Sequence, residues 1–362
     1  MANATTVEMT VTTAMPSAEN GSYFQMPDYG PIEIVIPIVF GCNCLMGIIG
    51  NSLVIYVILK HSKMKTVANI YILSLAIADL FFMLSIPFIA VHNAAVHWPF
   101  GYAWCKLITA VDGLNQSTGI YCLTAMSVDR YLAIVHPIRS MKVRTVRVAT
   151  VVNVSIWFLA AVTVMPLWLY SKTIEHPTRT VCTLRLPYQG FKKVFYIYMF
   201  VFGLVGPVLI ITVCYMLMIR RLYTGVAPLG SSNTKTPTKK VARMVLTVIF
   251  VFVSCWTPFY SLQLYSLTVP DDWIPSKGFV IGFYFTLCLS YFNSSINPVI
   301  YSFMSDNFRK CFSKVMRCKR LRDADIDADT RLNKNSGNSA GRDDGQTQST
   351  ALHKASTAPR PT

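Results

Sequence analysis

Ionisable side chains set inside long apolar runs are where this chain can do chemistry. Asp79 and Asp112 each lie deep in such a run, and Asp129, followed by Arg130 and Tyr131, ends the run that holds Asp112. A charge in hydrocarbon is costly, so each marks a functional site by default. Asn51, Asn115, Asn293, Ser294 and Asn297 occur at depths comparable to Asp79 in other runs. Together they can form one hydrated cluster, either as polar glue between helices or as a small-cation site that switches. Asp112 has no basic partner within its run, and Gln116 lies one turn deeper. Trp256, Phe259, Phe283 and Tyr291 are aromatic candidates for walls around it. A carboxylate in an aromatic, low-dielectric pocket suits a ligand ammonium or guanidinium. A hydrogen bond to Tyr291 is the alternative use, and the two are compatible. The runs hold no nucleophile–base pair and no Cys/His cluster, only His92 near an end, so an enzyme is not expected.

The elements that must position these residues are seven apolar stretches. They run Ile34–Leu59, Thr66–Val96, Leu107–Val128, Val148–Ser171, Val194–Ile219, Met244–Pro270 and Gly278–Met304. A hydrocarbon core about 30 Å thick takes about 20 residues of helix, and only a helix satisfies its own backbone there. The composition, 53% hydrophobic and 14% charged, is too apolar for a soluble domain. The expected fold is therefore an all-α membrane protein, a bundle of seven transmembrane helices.

The net charge is +16, and Lys and Arg crowd into alternate connections: Lys60–Lys65, Arg139–Arg147, Arg220–Arg243 and Arg309–Arg322. That distribution reads as topology rather than nucleic-acid binding. It puts the basic loops in the cytoplasm, in reach of anionic membrane lipid, and the N-terminus outside. The first 33 residues contain no Lys or Arg, and Asn3 and Asn20 open glycosylation sequons there. Sequons at Asn115, Asn153 and Asn293 fall inside spans, out of reach. No apolar signal segment precedes the first span, which is expected to act as its own anchor. The implied organisation is an extracellular tail over 1–32, the bundle with a short amphipathic eighth helix over 33–317, and a polar cytoplasmic tail over 318–362 that reads as disorder. The loop Arg220–Arg243 carries Gly225, Pro228, Gly230 and Pro237 as helix breakers. Cys105, at the outer start of the third span, and Cys182, in the second outer loop, both face the oxidising side and are expected to form a disulfide. Cys318 follows the amphipathic basic segment as a palmitoylation candidate, with Cys311 a weaker one.

An ordered set of motifs resembles the rhodopsin-like (class A) G-protein-coupled receptors. It comprises Gly50-Asn51, Leu75-Ala76-Ile77-Ala78-Asp79, Asp129-Arg130-Tyr131, Trp157, Pro207, Cys255-Trp256-Thr257-Pro258 and Asn297-Pro298-Val299-Ile300-Tyr301. His97–Gly101, Val111–Gln116, Ala133–Ile138 and Ser305–Phe308 are similar to the somatostatin, allatostatin-C and opioid peptide receptor group. The resemblance implies a ligand set of Asp112, Gln116, Phe259, Gln263, Phe283 and Tyr291. It implies a packing switch of Trp256, Phe252, Ile120 and Pro207, and G-protein coupling through Asp129, Arg130, Tyr131, Tyr215 and Tyr301. A sodium site of Asp79, Asn115, Asn293, Ser294 and Asn297 follows too, weakened because Gly119 stands where these receptors usually supply a hydroxyl. Thr238 stands where some place an acid to lock the arginine, so no such lock is expected. No cofactor is implied beyond an allosteric sodium ion.

Rival classes fit less well. A channel or transporter would show repeats or a ring of like charges, and neither appears. A retinal protein needs a lysine in the seventh span, and Gly278–Met304 has none. An amine receptor would also use Asp112, yet Val194–Pro207 supplies Tyr196 and Tyr198 and no Ser or Thr. The sequence thus points to a plasma-membrane receptor for a cyclic somatostatin- or allatostatin-C-like neuropeptide. An opioid-like peptide is the alternative and an amine the more distant one. By resemblance, its partners are inhibitory Gi/o heterotrimers, with arrestin and receptor kinases on the tail.

Overall fold

The computed structural model describes residues 9–10, 13–14, 32–61, 64–95, 97–177, 179–223, 235–270 and 276–316. Asn3, Asn20, Cys318 and the C-terminal tail lie outside the described residues. The chain forms two units, Met1–Arg309 and Lys310–Thr362. Everything below concerns the first, apart from the end of the last helix.

Two short strands, β1 (Met9–Thr10) and β2 (Thr13–Ala14), precede the helices. Then follow α1 (Ile32–Lys60), α2 (Val67–Ala95), α3 (Gly101–Val135) and the short α4 (Pro137–Val143). Next come α5 (Val146–Tyr170) and an antiparallel hairpin of β3 (Ser171–His176) and β4 (Arg179–Leu184). The fifth span is α6 (Gln189–Phe200), a π-turn (Val201–Val205) and α7 (Gly206–Tyr223). The last helices are α8 (Lys235–Tyr265), α9 (Lys277–Met304) and α10 (Asp306–Met316).

Six of the described spans are apolar and long enough to cross a membrane by composition alone. The exception is α3, 35 residues long but less apolar. Its neighbours explain why: α3 packs against α2, α5, α7 and α8. It occupies the centre of the bundle, so its polar residues meet protein rather than lipid. Asp112, Asn115, Gln116, Ser117, Thr118, Ser127 and Asp129 are all buried on it. Outward faces behave oppositely. Phe158, Phe250, Phe285 and Phe303 are exposed, as a hydrocarbon surround requires.

Several boundaries differ from the sequence expectation. The third span is longer than Leu107–Val128 at both ends. The sixth starts at Lys235 rather than Met244, inside the expected loop. Pro237 is no breaker there, because in a first turn its missing N–H has no intrahelical partner to lose. The same helix stops at Tyr265, short of Pro270, and residues 266–269 turn. The second outer loop is a hairpin, which periodicity over two runs of six residues did not suggest.

That hairpin is fastened over the bundle. Cys182 on β4 is disulfide-bonded to Cys105 near the N-terminal end of α3, with Cα atoms 5.5 Å apart. Trp98 N donates to Thr180 O at 2.7 Å, and Thr180 N donates to His97 Nδ1 at 3.0 Å. Trp98 Nε1 donates to Gly101 O at 2.8 Å across a turn in which Gly101 has φ of 78°, a conformation that favours glycine. Lys106 Nζ donates to Trp168 O (2.5 Å) and Leu169 O (3.2 Å), where the carbonyls ending α5 would otherwise be unpaired. Replacing Cys105 or Cys182 by alanine is expected to lose ligand binding or surface delivery. The double replacement should be no worse than either single one, since both remove the same bond. Surface labelling and binding on the three variants check this; additive damage would contradict it.

Candidate functional site

Asp79 and Asp112, both buried, occupy separate sites on α2 and α3. Asp79 Oδ1 accepts from Asn115 Nδ2 at 2.8 Å, and Asp79 Oδ2 accepts from Asn297 Nδ2 at 2.9 Å. Ser294 Oγ donates to Asn115 Oδ1 at 3.2 Å. Asn51 Nδ2 donates to Ser294 O at 3.1 Å and to Gly47 O at 3.0 Å, tying α1 to α9. The sequence cluster is thus one site joining four helices. Within it the buried oxygens Asn51 Oδ1 and Asn297 Oδ1 have no hydrogen-bond partner, and Asn293 Oδ1 on α9 is likewise buried and unpartnered. Buried oxygens seldom stay unpaired, so these fit a water or a small cation. A Cβ on Gly119 would stand 3.5 Å from Leu75 Cδ1 and 3.8 Å from Phe252 Cε2, so the missing hydroxyl is not excluded by space.

Asp112 faces a cavity of about 50 Å³ between α3, α6 and α8, roofed by Leu184 of the hairpin. Its wall includes Gln116, Phe259 and Gln263 of the expected ligand set, Trp256, and Phe195, Tyr196 and Met199 from α6. Among the described residues no cation pairs with Asp112. The cavity is small beside the range of about 300–1,000 Å³ usual for a ligand site, so a larger ligand has to part its walls.

Two of the expected ligand residues stand off this wall. Tyr291 packs between Phe40 and Phe82, with ring centroids 5.1 and 4.8 Å away, and its hydroxyl has no partner. The alternative hydrogen bond from Tyr291 to Asp112 is therefore not made. Phe283 stacks behind Phe259, centroids 6.3 Å apart. The two are eight residues apart on α9, behind the residues that line the cavity.

Tyr260 was not singled out from the sequence. Gln116 Nε2 donates to Tyr260 Oη at 2.5 Å, and Tyr260 Oη donates to Met199 O at 3.2 Å. The chain Gln116–Tyr260–Met199 joins α3, α8 and α6. The π-turn makes it workable. Pro207 has no N–H, the backbone widens one turn earlier, and Gly206 N bonds Val201 O instead. Gly203 keeps the approach open, since a Cβ there would fall 2.1 Å from Tyr260 Oη. Gly203→Ala should therefore destabilise the purified protein by about 1–3 kcal/mol through overpacking. Adding Tyr260→Phe should recover part of that loss, because the hydroxyl is what clashes. Thermal unfolding of the three variants reads this directly, and simple additivity would contradict it.

Below the cavity, Trp256 contacts Phe252 (centroids 6.0 Å) and Phe259 (5.8 Å). Phe252 and Ile120 are fully buried. Of the expected switch residues, Trp256 and Phe252 are thus in contact beside the Asp112 wall, while Pro207 lies in α7 after the π-turn. At the other end of α3, Arg130 Nη2 donates to Asp129 Oδ2. Arg144 binds the same carboxylate, Nε to Oδ1 at 2.7 Å and Nη2 to Oδ2 at 3.2 Å. The sequence reading took Arg144 only as part of a basic loop. Tyr131 Oη lies 3.2 Å from His136 Nε2, and Tyr215 is buried on α7. Tyr301 is buried, its ring 5.7 Å from that of Phe308 and its hydroxyl unpartnered. The side chain of Thr238 lies outside the described residues. Trp157 Nε1 donates to Ser74 Oγ at 2.7 Å, fixing α5 to α2.

Residues 50–301 match the family model for the 7 transmembrane receptor (rhodopsin family). Somatostatin receptor type 2 of Sus scrofa is 43% identical over 314 residues, 84% of this chain and 82% of that protein. Somatostatin receptor type 5 of Bos taurus is 42% identical over 300 residues, 82% of this chain and 80% of that protein. Somatostatin receptor type 4 of Rattus norvegicus is 41% identical over 291 residues, 79% and 74% respectively. With its helical spans, the Cys105–Cys182 disulfide and a match over most of its length, this chain belongs to the rhodopsin family of seven-transmembrane G-protein-coupled receptors, and it is a receptor rather than an enzyme.

Proposed function

We propose that the chain is a plasma-membrane receptor for a cyclic, disulfide-closed neuropeptide of the somatostatin or allatostatin-C kind, with its N-terminus outside and inhibitory Gi/o heterotrimers inside. One observation carries the reading: Asp112, unpaired among the described residues, on the wall of an aromatic cavity beneath a pinned hairpin. A lysine ammonium of the peptide enters there and pairs with Asp112. Gln116, Phe259 and Gln263 line its path, and Phe283 and Tyr291 support the walls from behind. The cost of desolvating Asp112 is already met by the fold, so a matching cation gains most of the pairing energy.

Entry displaces the Phe259–Trp256 stack, and Phe252, Ile120 and Pro207 pass the movement down α8 and α7. Release of Arg130 from Asp129 then offers the guanidinium, with Tyr131, Tyr215 and Tyr301, to the G protein. Sodium at Asp79, Asn115, Asn293, Ser294 and Asn297 favours the resting arrangement. The remaining assignments are glycosylation at Asn3 and Asn20, palmitoylation at Cys318, and arrestin and receptor kinases acting on residues 318–362. The relatives' names support the peptide over other ligands. The α6 wall of Phe195, Tyr196 and Met199 disfavours an amine, because it offers no aliphatic hydroxyl to a catechol.

The test is agonist-stimulated nucleotide exchange in membranes carrying this chain, challenged in parallel with cyclic somatostatin-type peptides, linear opioid peptides and amines. Response to the cyclic peptides alone is expected. Response only to opioid peptides or amines would overturn the ligand class.

A further inference from the structure

A larger cavity, about 600 Å³, lies apart from the Asp112 site, between α3, α5 and the junction of α6 with α7. Its size falls in the usual range of about 300–1,000 Å³ for small-molecule sites. Its walls are almost wholly apolar, for example Ala125, Val128, Ile156 and Phe202. Val152, Leu159 and Ile210 on its rim are exposed, so the groove opens sideways, toward whatever surrounds the bundle.

One end is charged. Asp129 and Arg144 line it, and Arg130 shares the same carboxylate. Among the described residues neither guanidinium pairs with any other acid. Two cations on one anion leave one positive charge in excess. The Arg144 side chain is 26% exposed, within reach of the mouth, and exposed Lys142 and Arg147 flank it. A sterol would fill the apolar part and leave that charge uncompensated. A zwitterionic headgroup brings its own cation. An anionic phospholipid matches both halves, since guanidinium and phosphate pair through parallel hydrogen bonds.

We infer that this groove is a binding site for an anionic phospholipid of the inner leaflet, with an acyl chain along Val128, Val152, Ile156 and Ile210 and the headgroup on Arg144. The inference rests on the proposed orientation, in which the basic loops are cytoplasmic. It does not depend on the ligand or the G protein, so its failure would leave the peptide reading standing.

The full chain in phosphatidylcholine nanodiscs is doped with phosphatidylserine carrying a diazirine on one acyl chain, irradiated, digested and mapped by mass spectrometry. Label is expected on the groove segments of α3, α5 and α7. Unlabelled phosphatidylserine should chase it about fivefold more effectively than phosphatidylcholine, the preference one accessible basic side chain gives. Arg144→Gln should remove that preference. Val152→Trp or Ile210→Trp, at positions 37% and 49% exposed, should fill the groove and abolish the label. Whichever of the two keeps the parent's thermal unfolding is the one read. Equal chase by phosphatidylcholine would mean annular lipid only, and chase by a sterol alone would mean a sterol site. Either result, or full label in a well-folded Trp variant, would overturn the proposal.

Discussion

Replacing Arg130 by alanine is expected to reduce agonist-stimulated nucleotide exchange to background while peptide still binds. In the structure the guanidinium is held at the inner end of α3 by Asp129, buried with it. The alanine keeps the helix and removes only the group that is handed to the G protein. Because coupling and agonist binding are reciprocal, agonist affinity should also fall, by about 5–150-fold for a coupling of about 1–3 kcal/mol. Asp129→Asn should act oppositely. It frees Arg130 and also Arg144, which binds the same carboxylate at 2.7 Å, so basal exchange should rise without agonist. Exchange and binding are measured on the same membranes. Wild-type signalling by Arg130→Ala would show that this chain does not use the triplet as its switch.

The second large effect belongs to Asp112. Asp112→Asn preserves shape and hydrogen-bonding capacity and removes the charge that a ligand cation would meet. Losing one partner of a desolvated, charge-assisted pair costs about 2–5 kcal/mol, so agonist potency should drop at least about tenfold. Surface expression should be normal, because no described cation depends on Asp112 in the resting structure. Dose–response curves normalised to surface receptor read this, and unchanged potency would remove Asp112 from the binding site.

The parts legible in the sequence were those that violate a local rule. Polar residues in apolar runs stand out one by one, and so Asp79, Asn115, Ser294 and Asn297 were grouped before any contact was known. The pairing of Cys105 with Cys182 followed from two thiols on one side of a membrane. What stayed hidden depends on the rotation and spacing of whole helices. Phe283 and Tyr291 both lie on α9, but only packing decides that the first meets Phe259 and the second Phe40 and Phe82. Tyr260 looks like one more aromatic until the π-turn before Pro207 brings Met199 O within 3.2 Å. Arg144 looked like one positive charge among many in a cytoplasmic loop. Its role appears only when α4 folds the loop back to Asp129.

The central claim is that a peptide cation meets Asp112, and a double-mutant cycle across the complex tests it most directly. Potency is measured for the lysine-bearing cyclic peptide and for its neutral isostere, each on the parent receptor and on Asp112→Asn. If the two groups pair, each single change costs at least about tenfold, and the second adds little once the first is made. Independent, multiplying losses would mean that the lysine and Asp112 act at different places, and the binding site would have to be sought elsewhere.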